Sequence, residues 1–111
     1  MVAQFELDGQ NFMALNGGPN FKFTPAISLS IACKSQEEID WFWEKLTAGG
    51  GTPGQCGWLQ DKYGLSWQVV PSILGELVRD TDPAKSNRVM QALMQMTKLD
   101  IAKLTQAAAG R

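Results

Sequence analysis

The sequence predicts an α+β protein: strands and one capped helix, followed by a helical C-terminal tail. Three observations carry that reading. Residues 26–33, "AISLSIAC", alternate strictly, with Ile27, Leu29, Ile31 and Cys33 on one face and Ala26, Ser28, Ser30 and Ala32 on the other. A capped amphipathic segment begins at Ser35, with Ile39, Phe42, Trp43 and Leu46 at the i, i+3, i+4, i+7 positions of one helix face. From Ser72 onward apolar residues recur at helical spacing behind a series of cap candidates.

The elements follow in order. Residues 2–7 read as a strand, Asp8-Gly9 as a two-residue hairpin turn, and residues 10–16 as the returning strand. "NGGPN", 16–20, breaks the pattern, and "FKFTP", 21–25, is a connector. The alternating strand 26–33 carries bulky side chains on one face and small, partly polar ones on the other. One side is therefore expected to lie under a helix and the other to stay open. That helix has a capping box, Ser35 with Glu38, and further acidic residues, Glu37 and Asp40, near the positive end of its dipole. Trp41 falls off the apolar stripe, and Gly49, Gly50 and Gly51 end the helix.

Residues 55–60 and 65–70 read as a hairpin around Asp61-Lys62-Tyr63-Gly64, with Asp opening and Gly closing a type I turn. Its second strand sets Leu65, Trp67 and Val69 against Ser66, Gln68 and Val70, repeating the bulky-versus-small division. In the tail, Ser72 is a cap for a short helix with Ile73, Leu74, Leu77 and Val78. Thr81-Asp82-Pro83 opens a second helix with Val89, Met90, Leu93, Met94 and Met96, and Asp100 opens a third. The methionines sit at helical spacing and are expected in the core.

Bulk properties narrow the function classes. The 111 residues are 44% hydrophobic and 19% charged with a net charge of -1, so the basic footprint of a nucleic-acid binder is missing. No stretch approaches the ~18 apolar residues of a membrane span, and no signal peptide is expected, which points to the cytoplasm. Histidine is absent, which excludes Ser-His and Cys-His nucleophile pairs and removes the commonest metal ligand. Cys33 and Cys56 have no CxxC spacing and are expected as reduced thiols.

Few residues qualify for chemistry. A reactive thiolate needs a cation, a helix N-terminus or a histidine beside it, and the residues around Cys56 offer none. Trp58 lies two residues further on, so both side chains are expected on one face of a strand, as core filler or as an aromatic wall. Glu37, Glu38 and Asp40 are accounted for by capping. "NGG" and "AGGG" lack the strand, Gly-rich loop and helix order that nucleotide-like cofactors use.

The stretches "FELDGQNFMALNGGPNFKFTPAISL", "SQEEIDWFWEKL", "GQCGWLQDKYGLSWQVVP" and "LGELVRDTDPAKSNRVMQALMQM" resemble the PhnB-like proteins. These form a branch of the vicinal-oxygen-chelate (glyoxalase/bleomycin-resistance) superfamily, often labelled "3-demethylubiquinone-9 3-methyltransferase domain". The resemblance implies βαβββ-type sheets that enclose a cleft, in a single domain: a hairpin of the first module at 1–20, the second module at 26–71 and the tail at 72–111. It also implies a chain shortened at its N-terminus, since such proteins usually carry a β-α-β segment before residue 2. The superfamily's metal ligands would fall at Ala14, Ala26 and Gln68. Two alanines and a neutral amide do not make a hard-cation or zinc site, so no metal and no cofactor are expected. The same register places Asn16, Ser28, Ser30, Cys56, Trp58 and Gln68 along a ligand cleft, with Phe12, Ser66 and Val70 on the same side.

An unpaired strand edge beside an uncovered apolar face is a template for association, so a homodimer is expected, strand exchange being one arrangement of it. Three functional readings follow: a metal-independent small-molecule-binding protein; an enzyme of glyoxalase or epimerase type whose catalytic groups come from elsewhere; or a structural and interaction module. A titratable group facing the cleft would favour the enzyme, and a flat or filled face would favour assembly. Nothing in the residues supports methyl transfer.

Overall fold

Two separate sheets share the strands of this chain, and the computed structural model describes residues 1–110 of it. The first sheet is a hairpin of β1 (Val2–Leu7) and β2 (Gln10–Leu15), antiparallel with Val2 opposite Leu15 and Leu7 opposite Gln10. Asp8 and Gly9 both have positive φ, 49° and 80°, which is what a two-residue turn matching strand twist requires. Among the described residues the hairpin pairs with no other strand, and of its side chains Phe12 alone is even half-buried.

The second sheet is built from β3 (Ser28–Cys33), α1 (Gln36–Thr47), β4 (Thr52–Pro53), β5 (Trp58–Gln60) and β6 (Ser66–Pro71). Their order along the chain is βαβββ, and their order in space is β3-β6-β5-β4. Strand β6 is therefore internal, parallel to β3 and antiparallel to β5. Ser35 caps α1, its Oγ accepting the Glu38 backbone N–H at 3.2 Å. In return, Glu38 Oε1 accepts the N–H of Lys34, one residue before the cap, at 3.3 Å. The stripe lies where periodicity puts it: Ile39 is fully buried against Cys33, Leu59 and Val69, with Phe42, Trp43 and Leu46 around them. Complete burial of an isoleucine is worth about 1.5–3 kcal/mol. Burial also pushes the Cys33 thiol pKa above its ordinary value, helped by the nearby Glu38 carboxylate. Trp41 points away, 55% exposed.

The tail comprises α2 (Leu74–Val78), α3 (Pro83–Met94) and α4 (Ile101–Ala108). Asp82 caps α3 and Asp100 caps α4 through their carboxylates. Val89, Leu99, Leu104 and Ala108 form its core, and Val70 of β6 packs into it. The segment between α3 and α4 is held to the sheet by backbone: Cys56 N–H donates to Met96 O and Gly57 N–H to Thr97 O, both at 2.8 Å. From the other side Gln36 Nε2 donates to Leu99 O at 3.0 Å, while its Oε1 accepts the Ile101 N–H at 2.8 Å.

Several expectations need correction. Ser72 does not cap α2: the N-cap is Ile73, with no side-chain hydrogen bond. Met90 and Met94 are exposed because α3 buries only the face toward α4 and α2. Ile27 precedes the strand and is 73% exposed, not packed under α1. β4, hidden in the Gly-rich stretch after α1, was not expected. Arg111, the last residue of the expected tail, lies outside the described residues.

The chain measures 52 × 26 × 24 Å with a radius of gyration of 16.1 Å. A compact chain of this size has about 13 Å. The difference reflects a hairpin standing away from the packed body.

Candidate functional site

The face of the second sheet opposite α1 carries the candidate site. Because β6 is flanked on both sides, its Gln68 is paired simultaneously with Ser30 on β3 and Trp58 on β5. Residues directly opposite in neighbouring strands point to the same side of the sheet. Ser30, Gln68 and Trp58 thus form one continuous row across three strands. The next row is Ser28, Ser66 and Gln60. Gln68 Nε2 donates to Ser28 Oγ at 2.9 Å, which ties the rows together and fixes which way the amide points. Its Oε1 remains an acceptor on the open face, between an exposed serine and a half-buried indole.

What keeps this wall in place lies behind it. Val69 and Trp67 point to the α1 side and pack into the core. The Trp67 indole N–H donates to Asp61 Oδ2 at 2.9 Å, while Asp61 Oδ1 accepts the N–H groups of Tyr63 and Leu65 at 2.9 and 3.0 Å. A single turn carboxylate therefore sets both the hairpin turn and the orientation of a tryptophan one strand position away from the row. The turn itself closes with Gly64 at φ 88°.

The six expected cleft residues are not all brought together. Ser28, Ser30, Trp58 and Gln68 share one face. Cys56 does not join them through strand alternation, because residues 55–57 form a turn and β5 begins only at Trp58. Cys56 takes φ 60°, the left-handed region that a non-glycine residue rarely adopts, and its backbone is used to hold the tail. Asn16 lies exposed at the base of the hairpin, its N–H donating to Met1 O at 3.0 Å. Ser66 is 1% exposed, and Val70 belongs to the tail's core, so neither lines an open surface. Gln60, exposed and in the row with Ser66, was missed, although period-2 alternation from Trp58 places it there.

The positions of the superfamily's metal ligands fail a test of donor chemistry. Ala14 sits on the detached hairpin opposite Ala3, Ala26 lies in the turn before β3, and neither side chain has a donor atom. Gln68, the third, already gives its amide nitrogen to Ser28. Among the described residues no three His, Cys, Asp or Glu side chains gather as a ligand set. A divalent ion does not fit here. Nor do the glycine runs form a nucleotide cradle, since Gly49 to Gly51 follow a helix instead of joining a strand to one.

Two concavities lie away from the row. A groove of about 540 Å³ follows the middle of the hairpin, around Phe5, Glu6, Asn11 and Phe12. A smaller one, about 250 Å³, lies between the C-terminal end of α1 and the β5–β6 turn, at Lys45, Leu46, Lys62 and Tyr63. No described helix is long and apolar enough to cross a membrane.

Comparison with known proteins places this geometry. A search of curated proteins returns no match. Among solved structures the chain is similar to a PhnB protein from Bacillus cereus, titled a putative 3-demethylubiquinone-9 3-methyltransferase. The two are 40% identical, with a TM-score of 0.57, over 63% of this chain and 64% of that one. The matched region thus spans somewhat less than two thirds of the relative's length. The family model described as 3-demethylubiquinone-9 3-methyltransferase matches residues 1–70, the hairpin and nearly all of the βαβββ unit. With that match over more than half its length, and with a glyoxalase-like α+β fold, this chain belongs to the PhnB-like 3-demethylubiquinone-9 3-methyltransferase family.

Proposed function

We propose that this protein binds a small organic molecule without a metal, using the Ser30–Gln68–Trp58 row as one wall of its site. The observation that carries the reading is the row with its neighbour Ser28: an aromatic face, the Ser30 hydroxyl and an amide oriented by the Ser28 hydroxyl, presented together on a sheet face opposite the core. Ligand sites combine an apolar surface with a few fixed polar groups that orient the ligand, and this wall has that composition. One wall is not a pocket. A second copy of the chain would supply the opposite side, so the proposed binding unit is a homodimer.

Catalysis is the weaker alternative. Acid–base chemistry needs a group that titrates near the working pH. Two hydroxyls, an amide and an indole provide none, so a catalytic group would have to come from the partner chain. Methyl transfer is not part of the proposal.

Native mass spectrometry of protein as purified from cells tests the reading. The expected spectrum shows a dimer carrying a small organic adduct and no divalent metal. A stoichiometric divalent ion would overturn metal independence. Unchanged adduct occupancy after Gln68→Ala and Trp58→Ala would remove this wall as the site.

A further inference from the structure

The wall of Ser30, Gln68 and Trp58 is uncharged over its whole extent. None of the four strands of its sheet carries a charged residue: β3 reads SLSIAC, β4 TP, β5 WLQ and β6 SWQVVP. The carboxylate that follows Gln60 in the chain, Asp61, already accepts three N–H groups, from Tyr63, Leu65 and the Trp67 indole. An ionised group laid on this wall would give up hydration, and the strands hold no counter-charge to replace it. A neutral ligand carries no such cost.

Gln68 has the most bonding capacity left over. A carboxamide has two N–H donors and an oxygen with two lone pairs, and among the described residues its one hydrogen bond runs from Nε2 to Ser28 Oγ at 2.9 Å. Oε1 and the second Nε2 N–H therefore stand side by side in one plane, an acceptor beside a donor. Glutamine grips a flat ring through such an edge when the ring carries the complementary pair, as it does with adenine. The bond to Ser28 holds the amide in place beforehand, which lowers the cost of ordering it on binding. Trp58 supplies the surface on which a flat ring can lie. It is the neighbour of Gln68 on β5, so the two Cβ atoms are about 5 Å apart on one face. A ring stacked on the indole thus reaches the Gln68 edge without crossing another strand. On the other flank Ser30 is exposed and meets a polar substituent one strand spacing, about 4.8 Å, further on.

We propose that the ligand of this wall is an uncharged planar heterocycle with a hydrogen-bond donor beside an acceptor on one edge, as in a lactam or an amino-substituted ring nitrogen. This names the ligand class of the proposed site and rests on the reading that the wall binds a small organic molecule. A ring that lacks the donor would displace water from Gln68 Oε1 and leave that oxygen unpaired, which is how a hydrogen-bonding site rejects a close analogue.

NMR titration of the ¹⁵N-labelled full chain with three probes tests it: 2-quinolone, its N-methyl analogue and 2-naphthoate. All three are bicyclic and flat, and only the first is a neutral lactam with its N–H intact. 2-Quinolone is expected to move the Trp58 indole N–H and the Gln68 side-chain amide resonances together. The N-methyl analogue, short of one hydrogen bond, and the naphthoate anion should each bind about tenfold more weakly or worse. Gln68→Leu should abolish the preference for the lactam over its N-methyl analogue, and Trp58→Ala should weaken both. The comparison of probes on the wild type needs no variant to fold. Equal affinities for the lactam and its N-methyl analogue, or tighter binding of naphthoate, would overturn the ligand class while the moving Trp58 and Gln68 resonances upheld the wall. Probes that bind and leave those two resonances still would remove the wall as the site, and no shift with any probe would overturn wall and class together.

Discussion

Replacement of Gln36 should loosen the whole tail, although Gln36 lies in the first turn of α1 and the tail begins more than thirty residues later. Its amide makes two hydrogen bonds across the molecule: to Leu99 O at 3.0 Å and from Ile101 N–H at 2.8 Å. Leu99 is fully buried, so its carbonyl would have little access to water after the substitution. Ile101 is the first residue of α4, where no intrahelical acceptor exists, so Gln36 caps a helix to which it does not belong. A typical net hydrogen bond contributes about 1 kcal/mol, and an orphaned buried group costs about 1–3 kcal/mol. Gln36→Met, which keeps the length of the side chain and removes both bonds together with an exposed one from Gln36 Nε2 to Asp40 Oδ1, should therefore destabilise the fold by about 2–3 kcal/mol. With a urea m-value of about 1.5 kcal/mol/M for a chain of this size, the unfolding midpoint should fall by about 1.5 M. Hydrogen exchange adds a spatial check. The Ile101 amide should lose protection first, followed by those of Cys56 and Gly57, whose acceptors Met96 O and Thr97 O lie on the same segment. A midpoint shift below about 0.3 M would refute the clamp, as would a loss of protection confined to α1.

Two further outcomes are expected. Gly57→Ala and Gly64→Ala both place a Cβ on a left-handed residue, but only at Gly57 would it meet neighbours, Leu99 Cδ1 and Val69 O at 3.0 Å. Gly64→Ala should cost about 1–2 kcal/mol and Gly57→Ala clearly more, read as urea midpoints; equal costs would contradict the packing of the tail on the sheet. The Asp40 carboxyl is held below its ordinary range by the Lys98 ammonium, 2.8 Å away, and then by the Gln36 amide. Its contribution is thus present above the unfolded carboxyl pKa of about 3.9 and is lost as pH falls through the lower folded value. The stability gap between wild type and Asp40→Asn should be constant near neutrality and close below about pH 4; a gap that persists to pH 2.5 would refute the assignment. The group is solvent-exposed, so the gap itself should be small.

What could be read from the sequence is what neighbouring residues decide among themselves. Asp8-Gly9 and the Asp61 to Gly64 turn were legible because the chain can reverse there only with glycine or a small polar residue in a left-handed conformation. The Ser35 and Glu38 pair, Asp82 and Asp100 were legible because a cap bonds an amide two or three residues away. Strict alternation in residues 26–33 identified the face that α1 covers and, by exclusion, the face that carries Ser30 and Gln68. Each of these rests on contacts within about four positions along the chain, which a linear pattern records.

The remainder came from contacts between residues far apart in the chain. Cys56 left its expected strand because the chain turns at residues 55–57, where the Cys56 and Gly57 N–H groups go to Met96 O and Thr97 O, some forty positions later. Met90 and Met94 share the helical spacing of core residues, but they lie on the part of α3 that neither α2 nor α4 covers, so the same periodicity leaves them in solvent. Gln36 reads as an ordinary polar residue in a first helical turn until α4 is placed against it. The row of Ser30, Gln68 and Trp58 follows the same logic: each face was predictable, but only the register of three strands brings an indole, an amide and a hydroxyl into line. The sequence determined which residues form each element and which side each element hides. The tertiary structure decided which hidden sides meet, and it left one of them, the hairpin's, without a partner strand among the described residues.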